Sequence, residues 1–287
     1  EHAALTNISR DHLDYHKNFD EYLKSKLKLA EMSSLKTLSY NLDDEHFSNI
    51  VNLFKGEKIY SVSCKNKKAD IYFKIKQFYQ DGRITFCAST PWGEFSSSPK
   101  LHAGYNIYNL LLSLPYYYSM TSDCSGFFSA VEEITLPVGR LQTVGRENIF
   151  IDFAHTPDAL EAVCSELMKK NHKGLKLIFG AGGDRDKGKR ELMGNIAQKY
   201  AKKIYITSDN PRFEKPNEII EMIAAGIKDK SKMVIKSDRS EAIKMAISEL
   251  HKDEILLITG KGHEEYQILG NEKKPFSDSE EVLKCIK

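Results

Sequence analysis

The sequence contains no long apolar run and no marked excess of charge of one sign. Its apolar runs fall short of the roughly 18 to 20 residues that span a bilayer, and its start lacks a basic region followed by an apolar one. The 42 Lys and Arg residues nearly balance the 40 Asp and Glu residues, which leaves a net charge of +2. This balance gives no long-range attraction to nucleic acid or to an anionic membrane, so we expect neither as a partner.

Cysteine is scarce as well. The five cysteines are widely scattered, and none shows the CxxC spacing that is typical of zinc sites and redox pairs. Free thiols in a reducing compartment are the simplest interpretation, so we expect a cytoplasmic protein. With 41% apolar residues in 287, the chain can bury a large core, and its length suggests about two domains.

The first part of the chain mixes helical and β-type patterns. Asp20 precedes apolar residues at helical spacing and fits a helix cap. Three short β-type runs follow between residues 59 and 88, with a hairpin turn at Asp81-Gly82. A long helix with Pro115 near its end comes next, and its apolar face is predicted to comprise Ile107, Leu110, Leu111 and Leu114.

From about Leu136 the pattern changes to a regular alternation of buried strands and amphipathic helices. The strands read IFIDFA, LKLIFGAG, KKIYITSD, MVIKS and EILLITG. Thr156-Pro157 fits a helix cap followed by a proline in the first turn, and Asp238 to Glu241 fits capping-box spacing. We therefore predict an α/β protein whose C-terminal domain is a doubly wound, Rossmann-like parallel sheet, with the domain boundary between residues 138 and 139.

A glycine-rich, charged loop from Gly182 to Arg190 follows the strand LKLIFGAG. Its glycine and lysine spacing matches a phosphate loop, but Arg190 stands where Ser or Thr must bind Mg²⁺. The dinucleotide fingerprint fails too, because Arg185 occupies its third glycine position. We interpret the segment as an anion-binding turn of another kind, with a solvated strand-to-helix loop as the alternative.

Two further polar clusters follow strands of the same predicted sheet. After one strand comes Ser208-Asp209-Asn210-Pro211-Arg212, in which the arginine offers a two-pronged contact for a carboxylate and the asparagine offers a donor and an acceptor. After the last strand, Gly260 allows close backbone approach and Glu264 could hold an ammonium group. Each cluster has a plain alternative as a turn, but ligands bind at the carboxyl ends of parallel strands, and three clusters there favour a common site.

The start of the chain carries a fourth group of polar residues, Asp11, His12, Asp14 and His16. Such a group could bind a divalent cation, and a surface turn explains it equally well. The residues by themselves leave both interpretations open.

Taken together, these segments resemble the Mur ligases, the ATP-dependent amide-forming enzymes of bacterial cell-wall synthesis, and within them the members that add the third residue of the peptidoglycan stem peptide. The matching segments span nearly the whole chain in the family's order. They are TNISRDHLDYH (6–16), GYNIYNLLLSL (104–114), GRLQTV (139–144), DFAHTPDALEAV (152–163), GAGGDRDKGKR (180–190), SDNPR (208–212) and GKGHEEYQ (260–267).

The resemblance implies two domains. Residues 1–138 would be the back part of the family's central ATP-binding domain, and residues 139–287 its C-terminal amino-acid-binding domain. The family's phosphate loop does not occur in this sequence, which also begins without Met. We therefore expect a fragment that is inactive alone, and a complete enzyme that acts as a monomer.

The resemblance also implies a reaction. ATP phosphorylates the D-glutamate carboxylate of the UDP-N-acetylmuramoyl-dipeptide, UDP-N-acetylmuramoyl-L-alanyl-D-glutamate, and the amine of meso-diaminopimelate attacks the acyl phosphate. Mg²⁺ and fixed cations neutralise the phosphoryl charge. By this resemblance His12 is a Mg²⁺ ligand, and Lys26 is a carbamoylated lysine that also binds the metal. Lys26 and His155 are the catalytic candidates, although the residues alone favour an ordinary helix lysine, and a lone histidine is as often structural.

The remaining site residues follow from the family motifs. Asn106 and Asn109 match asparagines near the adenine, while Arg140 and Asp152 match residues around the phosphates and ribose of ATP. On the residues alone, an amide on a helix surface and a turn residue at a strand end explain Asn109 and Asp152. The residues that match the family's amino-acid-binding positions are Arg185, Asp209, Asn210, Pro211, Arg212, Gly260 and Glu264.

The run from Asp209 to Arg212 reproduces the DNPR motif of members specific for meso-diaminopimelate, whereas lysine-adding members typically lack the arginine. Diaminopimelate has a second carboxylate for Arg212, and lysine would leave a guanidinium without a partner. The alternatives are an L-lysine-adding Mur ligase, a folylpolyglutamate synthetase, a non-catalytic nucleotide-binding module and a nicotinamide oxidoreductase. The GGDRDKGKR and DNPR segments argue against the synthetase, and the broken glycine fingerprint argues against the oxidoreductase.

Overall fold

The computed structural model of the chain describes residues 1–170 and 172–286 and separates into two compact units. Unit 1 comprises Glu1–Ser9 and His16–Thr135, and unit 2 comprises Arg10–Tyr15 and Leu136–Lys287. The short segment Arg10–Tyr15 therefore packs with unit 2, although the residues on either side of it in the sequence pack with unit 1. Across the described residues, no helix combines the length and apolarity needed to cross a membrane.

Unit 1 is built on a six-stranded sheet whose strands lie side by side in chain order. Its first four strands are parallel, and the last two are added by antiparallel hairpins. The predicted hairpin turn at Asp81-Gly82 is confirmed, with Gly82 at a φ of 92°. The strands are β1 (His2–Leu5), β2 (Thr37–Asn41), β3 (Lys58–Ser63), β4 (Ile71–Phe78), β5 (Ile84–Thr90) and β6 (Gly93–Ser97).

The helices of unit 1 correct three details of the prediction. The side chain of Asn18, not of Asp20, caps the first helix by accepting from the backbone N–H of Glu21. Pro115 lies inside the third helix, which continues to Thr121. The buried face of that helix is Ile107, Leu111, Leu112, Leu114 and Pro115, and Leu110 is only half-buried. The helices are α1 (Phe19–Leu27), α2 (Ile50–Leu53), α3 (Tyr105–Thr121) and α4 (Ser125–Glu132), with 3₁₀ turns at Lys28–Glu31 and Glu45–Phe47.

Unit 2 confirms the predicted doubly wound, parallel-sheet fold. Its main sheet has the order β11-β10-β9-β12-β8-β7, with all neighbours parallel except β7 and β8, and β13 and β14 form a separate antiparallel hairpin. The strands are β7 (Gln142–Val144), β8 (Arg146–Asp152), β9 (Leu175–Phe179), β10 (Lys203–Ile206), β11 (Met233–Ile235), β12 (Ile255–Thr259), β13 (Tyr266–Leu269) and β14 (Glu272–Pro275).

Two helices of unit 2 begin where the sequence predicts caps. Thr156 and Asp238 both accept a hydrogen bond from a first-turn backbone N–H, those of Ala159 and Glu241. The apolar strands pack between the helices, and the central strands β9 and β12 are buried throughout. The helices are α5 (Pro157–Met168), α6 (Gly188–Tyr200), α7 (Pro216–Ala225), α8 (Arg239–Ser248) and α9 (Asp278–Ile286), with a 3₁₀ turn at Lys230–Lys232.

The strand order of unit 2 determines where a ligand can bind. The chain runs from β8 past one strand position to β9, continues outward to β10 and β11, and then returns with β12 between β8 and β9. Loops leaving β8, β9, β10 and β12 at their carboxyl ends flank the crevice that such a reversal opens. These four loops carry the polar clusters that the sequence singles out.

Candidate functional site

The glycine-rich loop after β9 is held in place by a buried ion pair. The guanidinium of Arg190, which is fully buried, donates from both terminal nitrogens to the two carboxylate oxygens of Glu214 at 2.8 Å. The hydrogen bonds from Arg190 lower the pKa of Glu214 to about 2. Arg190 also donates to the carbonyl of Gly182, and the N–H of Asp184 donates to Glu214 at 2.6 Å. Arg190, which breaks the phosphate-loop pattern in the sequence, thus stabilises the conformation of this loop through buried hydrogen bonds.

The same loop packs closely on the turn after β10. The backbone N–H of Gly183 donates to the carbonyl of Asn210 at 2.9 Å, and a Cβ on Gly183 would overlap the carbonyl of Pro211. Only glycine permits this approach of two backbones. The loop and the turn therefore form one surface at the strand ends.

A second network orients Asn210 and Glu264. The ammonium of Lys261, which is fully buried, donates to Glu264 Oε2 at 3.1 Å, to Asn210 Oδ1 at 3.3 Å and to the carbonyl of Tyr266. Because Asn210 Oδ1 also accepts from the N–H of Ile268, its Nδ2 is directed at Glu264 Oε2, 2.8 Å away. All three donors of Lys261 are used, so this lysine is fixed.

Arg212 lies on the same surface in an unusual backbone conformation. Its φ is 51°, in the left-handed region, and its backbone pairs with Ile268 and Gly270 at the β13–β14 hairpin. The side chain donates through Nη1 to the carbonyl of Gly183 at 2.8 Å. A left-handed arginine costs about 1 kcal/mol or more, and such strain often marks a functional position.

Asp209 lies beside Gly260, at the end of β12. Asp209 is only 7% exposed, and Gly260 has a φ of 109° that favours glycine. A Cβ on Gly260 would overlap Asp209 Oδ2, so the missing side chain leaves room for this carboxylate. In the part of the chain that the structure describes, no hydrogen bond reaches the Asp209 carboxylate.

The loop after β8 combines a buried carboxylate with an exposed cation. Asp152 accepts from the N–H groups of Leu141 and Ala154, both at 2.8 Å, and burial raises the pKa of its carboxyl. Both carboxylate oxygens of Asp152 therefore already accept a hydrogen bond from the backbone. Arg140 is exposed, with its guanidinium 4.6 Å from the centre of the Phe153 ring.

The segment Arg10–Tyr15 is bound to the rest of unit 2 by three contacts with loops that carry predicted site residues. Each contact joins opposite charges or a carboxylate and an imidazole. They are Arg10 to Asp186 at 3.1 Å, Asp11 to His155 at 3.6 Å, and Asp14 to Arg185 at 3.4 Å. Burial alone would raise the pKa of Asp11, but the nearby imidazole of His155 and the hydrogen bond from the backbone N–H of His12 hold it well below its usual range.

The predicted cation cluster at residues 11–16 does not converge. Asp11 faces His12 and His155, Asp14 faces Arg185, and the His16 ring packs at 5.4 Å from that of Tyr22 in unit 1. Among the described residues, no three His, Cys, Asp or Glu side chains are placed to hold a metal ion. The described side chains therefore do not form a Mg²⁺ site by themselves.

The predicted residues of unit 1 lie on two helices. Lys26 is exposed on α1, with its ammonium 5.5 Å from the centre of the Tyr22 ring. Asn106 and Asn109 lie in the first turns of α3, where Asn109 donates to Asn106 Oδ1 at 3.1 Å and Asn106 donates to the carbonyl of Leu101. Asn109 is exposed and Asn106 half-buried.

Sequence reasoning did not single out three contributors to this surface. The buried Lys261, the pairing of Glu214 with Arg190, and the β13–β14 hairpin that supports Arg212 all have structural roles there. The spacing of Lys261 three residues before Glu264 was a usable signal for the first. The pair joins Arg190 in α6 to Glu214 in the loop before α7, and no local pattern in the sequence predicts it.

Comparison with known proteins matches both units. Residues 1–116 match the model of the Mur ligase middle domain, and residues 139–262 match that of the Mur ligase, glutamate ligase domain. The curated UDP-N-acetylmuramoyl-L-alanyl-D-glutamate--2,6-diaminopimelate ligase of Aquifex aeolicus is 39% identical over 100% of this chain and 58% of its own length. The chain thus spans little more than half the length of this relative.

Solved structures of Mur ligases also match this chain. A structure of UDP-N-acetylmuramoyl-L-alanyl-D-glutamate--2,6-diaminopimelate ligase matches with a TM-score of 0.63 and 34% identity over 100% of this chain and 60% of its own. The MurF ligase of Thermotoga maritima in complex with ADP matches with a TM-score of 0.73 over 99% of this chain and 61% of its own, but at 15% identity, which supports the fold alone. The two domain models together account for most of the sequence, and the chain therefore belongs to the Mur ligase family.

Proposed function

We propose that this chain is part of an ATP-dependent ligase that adds meso-diaminopimelate to UDP-N-acetylmuramoyl-L-alanyl-D-glutamate in the cytoplasm. The observation that carries the proposal is the arrangement of Asn210, Arg212 and Glu264 on one surface at the carboxyl ends of β10 and β12. Relatives that bear the name of this activity align with nearly the whole chain and support the same reaction.

The distal amino-acid head of diaminopimelate carries a carboxylate and an ammonium group. Arg212 uses only one of its terminal nitrogens for the described backbone, so its other donors are available for the carboxylate. Glu264 is half-buried and accepts from Asn210 and Lys261 through Oε2 alone, which leaves Oε1 for the ammonium. Pro211 and Gly260 shape the backbone around this head.

The nucleophilic half of the reaction needs an amine held next to an acyl phosphate. The γ-phosphoryl group of ATP passes to the D-glutamate carboxylate, and attack by the amine then expels inorganic phosphate. Arg185, exposed and paired with Asp14, is proposed to bind the carboxylate beside the reacting amine. His155 is proposed to act close to the reacting groups, oriented by its contact with Asp11 and by its hydrogen bond with the carbonyl of Phe153.

ATP and Mg²⁺ are the proposed cosubstrate and cofactor. Asn106 and Asn109 would contact the adenine. Arg140 and Asp152 would contact the phosphates and ribose. His12 and a carbamoylated Lys26 would each provide one ligand to Mg²⁺. When bound, Mg²⁺ neutralises the negative charge of the phosphoryl oxygens.

Calorimetric titration of the 287-residue chain tests the acceptor. We expect meso-diaminopimelate to bind and L-lysine to bind at least about tenfold more weakly, because lysine leaves Arg212 without a carboxylate. Arg212→Lys should weaken binding of diaminopimelate by about tenfold to a hundredfold, because it keeps the charge but loses the fork. Lys215→Ala, an exposed lysine three positions away, is the control and should bind normally.

Two results would contradict this assignment. Equal binding of lysine and diaminopimelate would remove the proposed acceptor but leave an amide ligase of the same family. Normal binding of diaminopimelate by Arg212→Lys would remove Arg212 from the site.

A further inference from the structure

The helix α3 carries in its first turns both asparagines that are proposed to contact adenine, yet none of the described side chains caps this helix end. Gly104 precedes the helix and has no side chain that could accept from the first N–H groups, and the first turn contains no Asp or Glu. Asn106 donates to the carbonyl of Leu101, and Asn109 donates to Asn106. Because uncapped helix ends fray readily, contacts from other parts of unit 1 must fix this one.

Tyr108, which lies between the two asparagines in the sequence, joins this helix end to Asp43 in the loop after β2. Its hydroxyl donates to Asp43 Oδ2 at 2.5 Å, a distance typical of a hydroxyl on a carboxylate. Its ring packs edge-on against Phe73 in β4, with 4.7 Å between the ring centres. Burial and the Asp43 carboxylate both raise the pKa of Tyr108, so the hydroxyl keeps its proton and remains a donor at neutral pH.

Asp43 is itself fixed to the carboxyl end of β3. Its Oδ1 accepts from the hydroxyl of Ser63 at 2.7 Å, and its Oδ2 also accepts from the backbone N–H of Cys64 at 2.9 Å. Burial alone would raise the pKa of Asp43, but the three hydrogen bonds that it accepts lower it below its usual range. The carboxylate is therefore charged, and it connects the start of α3 to the sheet of unit 1.

The amide of Asn109 is oriented in a way that suits adenine. Its Nδ2 donates to Asn106 Oδ1 at 3.1 Å, so its Oδ1, on the other side of the exposed amide, is available to accept from a ligand. Adenine donates from the amino group at its 6-position, whereas hypoxanthine, like guanine, has an accepting carbonyl oxygen there. A displacement of this amide should therefore weaken the binding of adenine more than the binding of hypoxanthine.

We infer that Asp43 and Tyr108 are positioning residues that hold the start of α3, and with it Asn106 and Asn109, in the geometry that binds the adenine of ATP. This inference rests on the proposed function and deepens it, because it assigns the side chains on which recognition of the base depends. Neither residue is assigned a contact with the nucleotide, and both act through the backbone of α3.

The test is the steady-state kinetics of the complete ligase with ATP and with inosine triphosphate. Tyr108→Phe removes only the hydroxyl and keeps the ring against Phe73. We expect kcat/KM for ATP to fall about threefold to thirtyfold through a higher KM, as for a lost hydrogen bond to a charged group. The value of kcat, the KM for meso-diaminopimelate and kcat/KM for inosine triphosphate should each change by less than about twofold.

Two other variants sharpen the test. Asp43→Asn removes the charge from the other partner and should reproduce the change, and combining it with Tyr108→Phe should add little, because both disrupt one interaction. Asp43→Asn also carries the test if Tyr108→Phe does not fold. Tyr116→Phe is the matched control, since it removes a hydroxyl from a residue of the same helix that is 48% exposed, and it should leave the kinetics unchanged.

The outcomes separate this inference from the proposed function. If the complete ligase forms no amide from ATP and meso-diaminopimelate, the proposed function fails and the positioning role fails with it. If Tyr108→Phe keeps the ATP kinetics of the unmodified ligase, the positioning role is refuted while the proposed function stands. An equal loss with both nucleotides, or a loss in kcat alone, would also refute it, because a general disturbance of unit 1 does not depend on the base.

Discussion

Replacing Glu214 by Gln should destabilise unit 2 by about 3 kcal/mol at neutral pH. The change keeps the size of the side chain but removes the charge that Arg190 needs, and Arg190 is fully buried. Two considerations give the magnitude. A pKa lowered from 4.5 to about 2 corresponds to about 3 kcal/mol of favourable interaction. Removing one partner of a buried ion pair costs about 3 to 5 kcal/mol, and the amide retains one acceptor.

The effect should depend on pH in a defined direction. Because the pKa of Glu214 is lower in the folded protein than in the unfolded chain, its contribution is complete above about pH 5 and disappears as the pH falls toward 2. The difference in unfolding free energy between the unmodified chain and Glu214→Gln should therefore shrink over the same range. Urea denaturation followed by circular dichroism at several pH values measures this difference.

The matched control is Glu218→Gln, four positions further along the chain. Glu218 is 54% exposed and pairs with Lys215 at 3.2 Å on the helix surface, so its loss should cost under about 1 kcal/mol. A Glu214→Gln protein as stable as the control, or a difference between the two that does not change with pH, would refute the role given to the Arg190 pair.

Three further predictions concern single positions. Gly260→Ala should lower the unfolding free energy by about 1 to 3 kcal/mol in urea denaturation, because its φ of 109° and the nearby Asp209 oxygen exclude a Cβ; an unchanged midpoint would contradict this. Asp278→Ala should cost about 3 to 5 kcal/mol, since it leaves Arg239 buried without its carboxylate, and Arg239→Met in the same protein should recover most of the loss if the reasoning holds. In the complete ligase, Lys26→Ala should nearly abolish amide formation in a coupled assay, with partial recovery on adding short carboxylates; full activity would exclude the carbamate role.

The fold was largely predictable because apolar periodicity is a local property. The alternation of buried strands and capped helices in unit 2 is explicit in the sequence, and the structure reproduces it. The strands that were missed include β2, which is buried, and several others that are short or exposed. β1 has four residues in a polar opening and is held by pairing with β2, and β14 is exposed along its whole length. The formation of these strands depends on partners that are distant in sequence, and a local sequence pattern does not reveal such partners.

The candidate surface was predictable in part for the same reason. Polar residues directly after apolar strands are visible in the sequence, and the parallel fold brings them to one edge. Burial of a lysine is not visible, because lysines are usually exposed and nothing beside Lys189 or Lys261 marks them as exceptions. The contacts of Asp11 and Asp14 with the rest of unit 2 span more than a hundred residues and follow only from the tertiary structure.

The discontinuous make-up of unit 2 limits how this part of the protein can be separated or exchanged. A single cut near Leu136 would remove the segment Arg10–Tyr15, which supplies partners to Asp186, His155 and Arg185. A chimaera that takes the C-terminal domain from one relative and the preceding domain from another must therefore transfer this hexapeptide along with it. If the two relatives differ in these six residues and the hexapeptide is not transferred, the exchanged C-terminal domain would lose the charged partners of Asp186, His155 and Arg185.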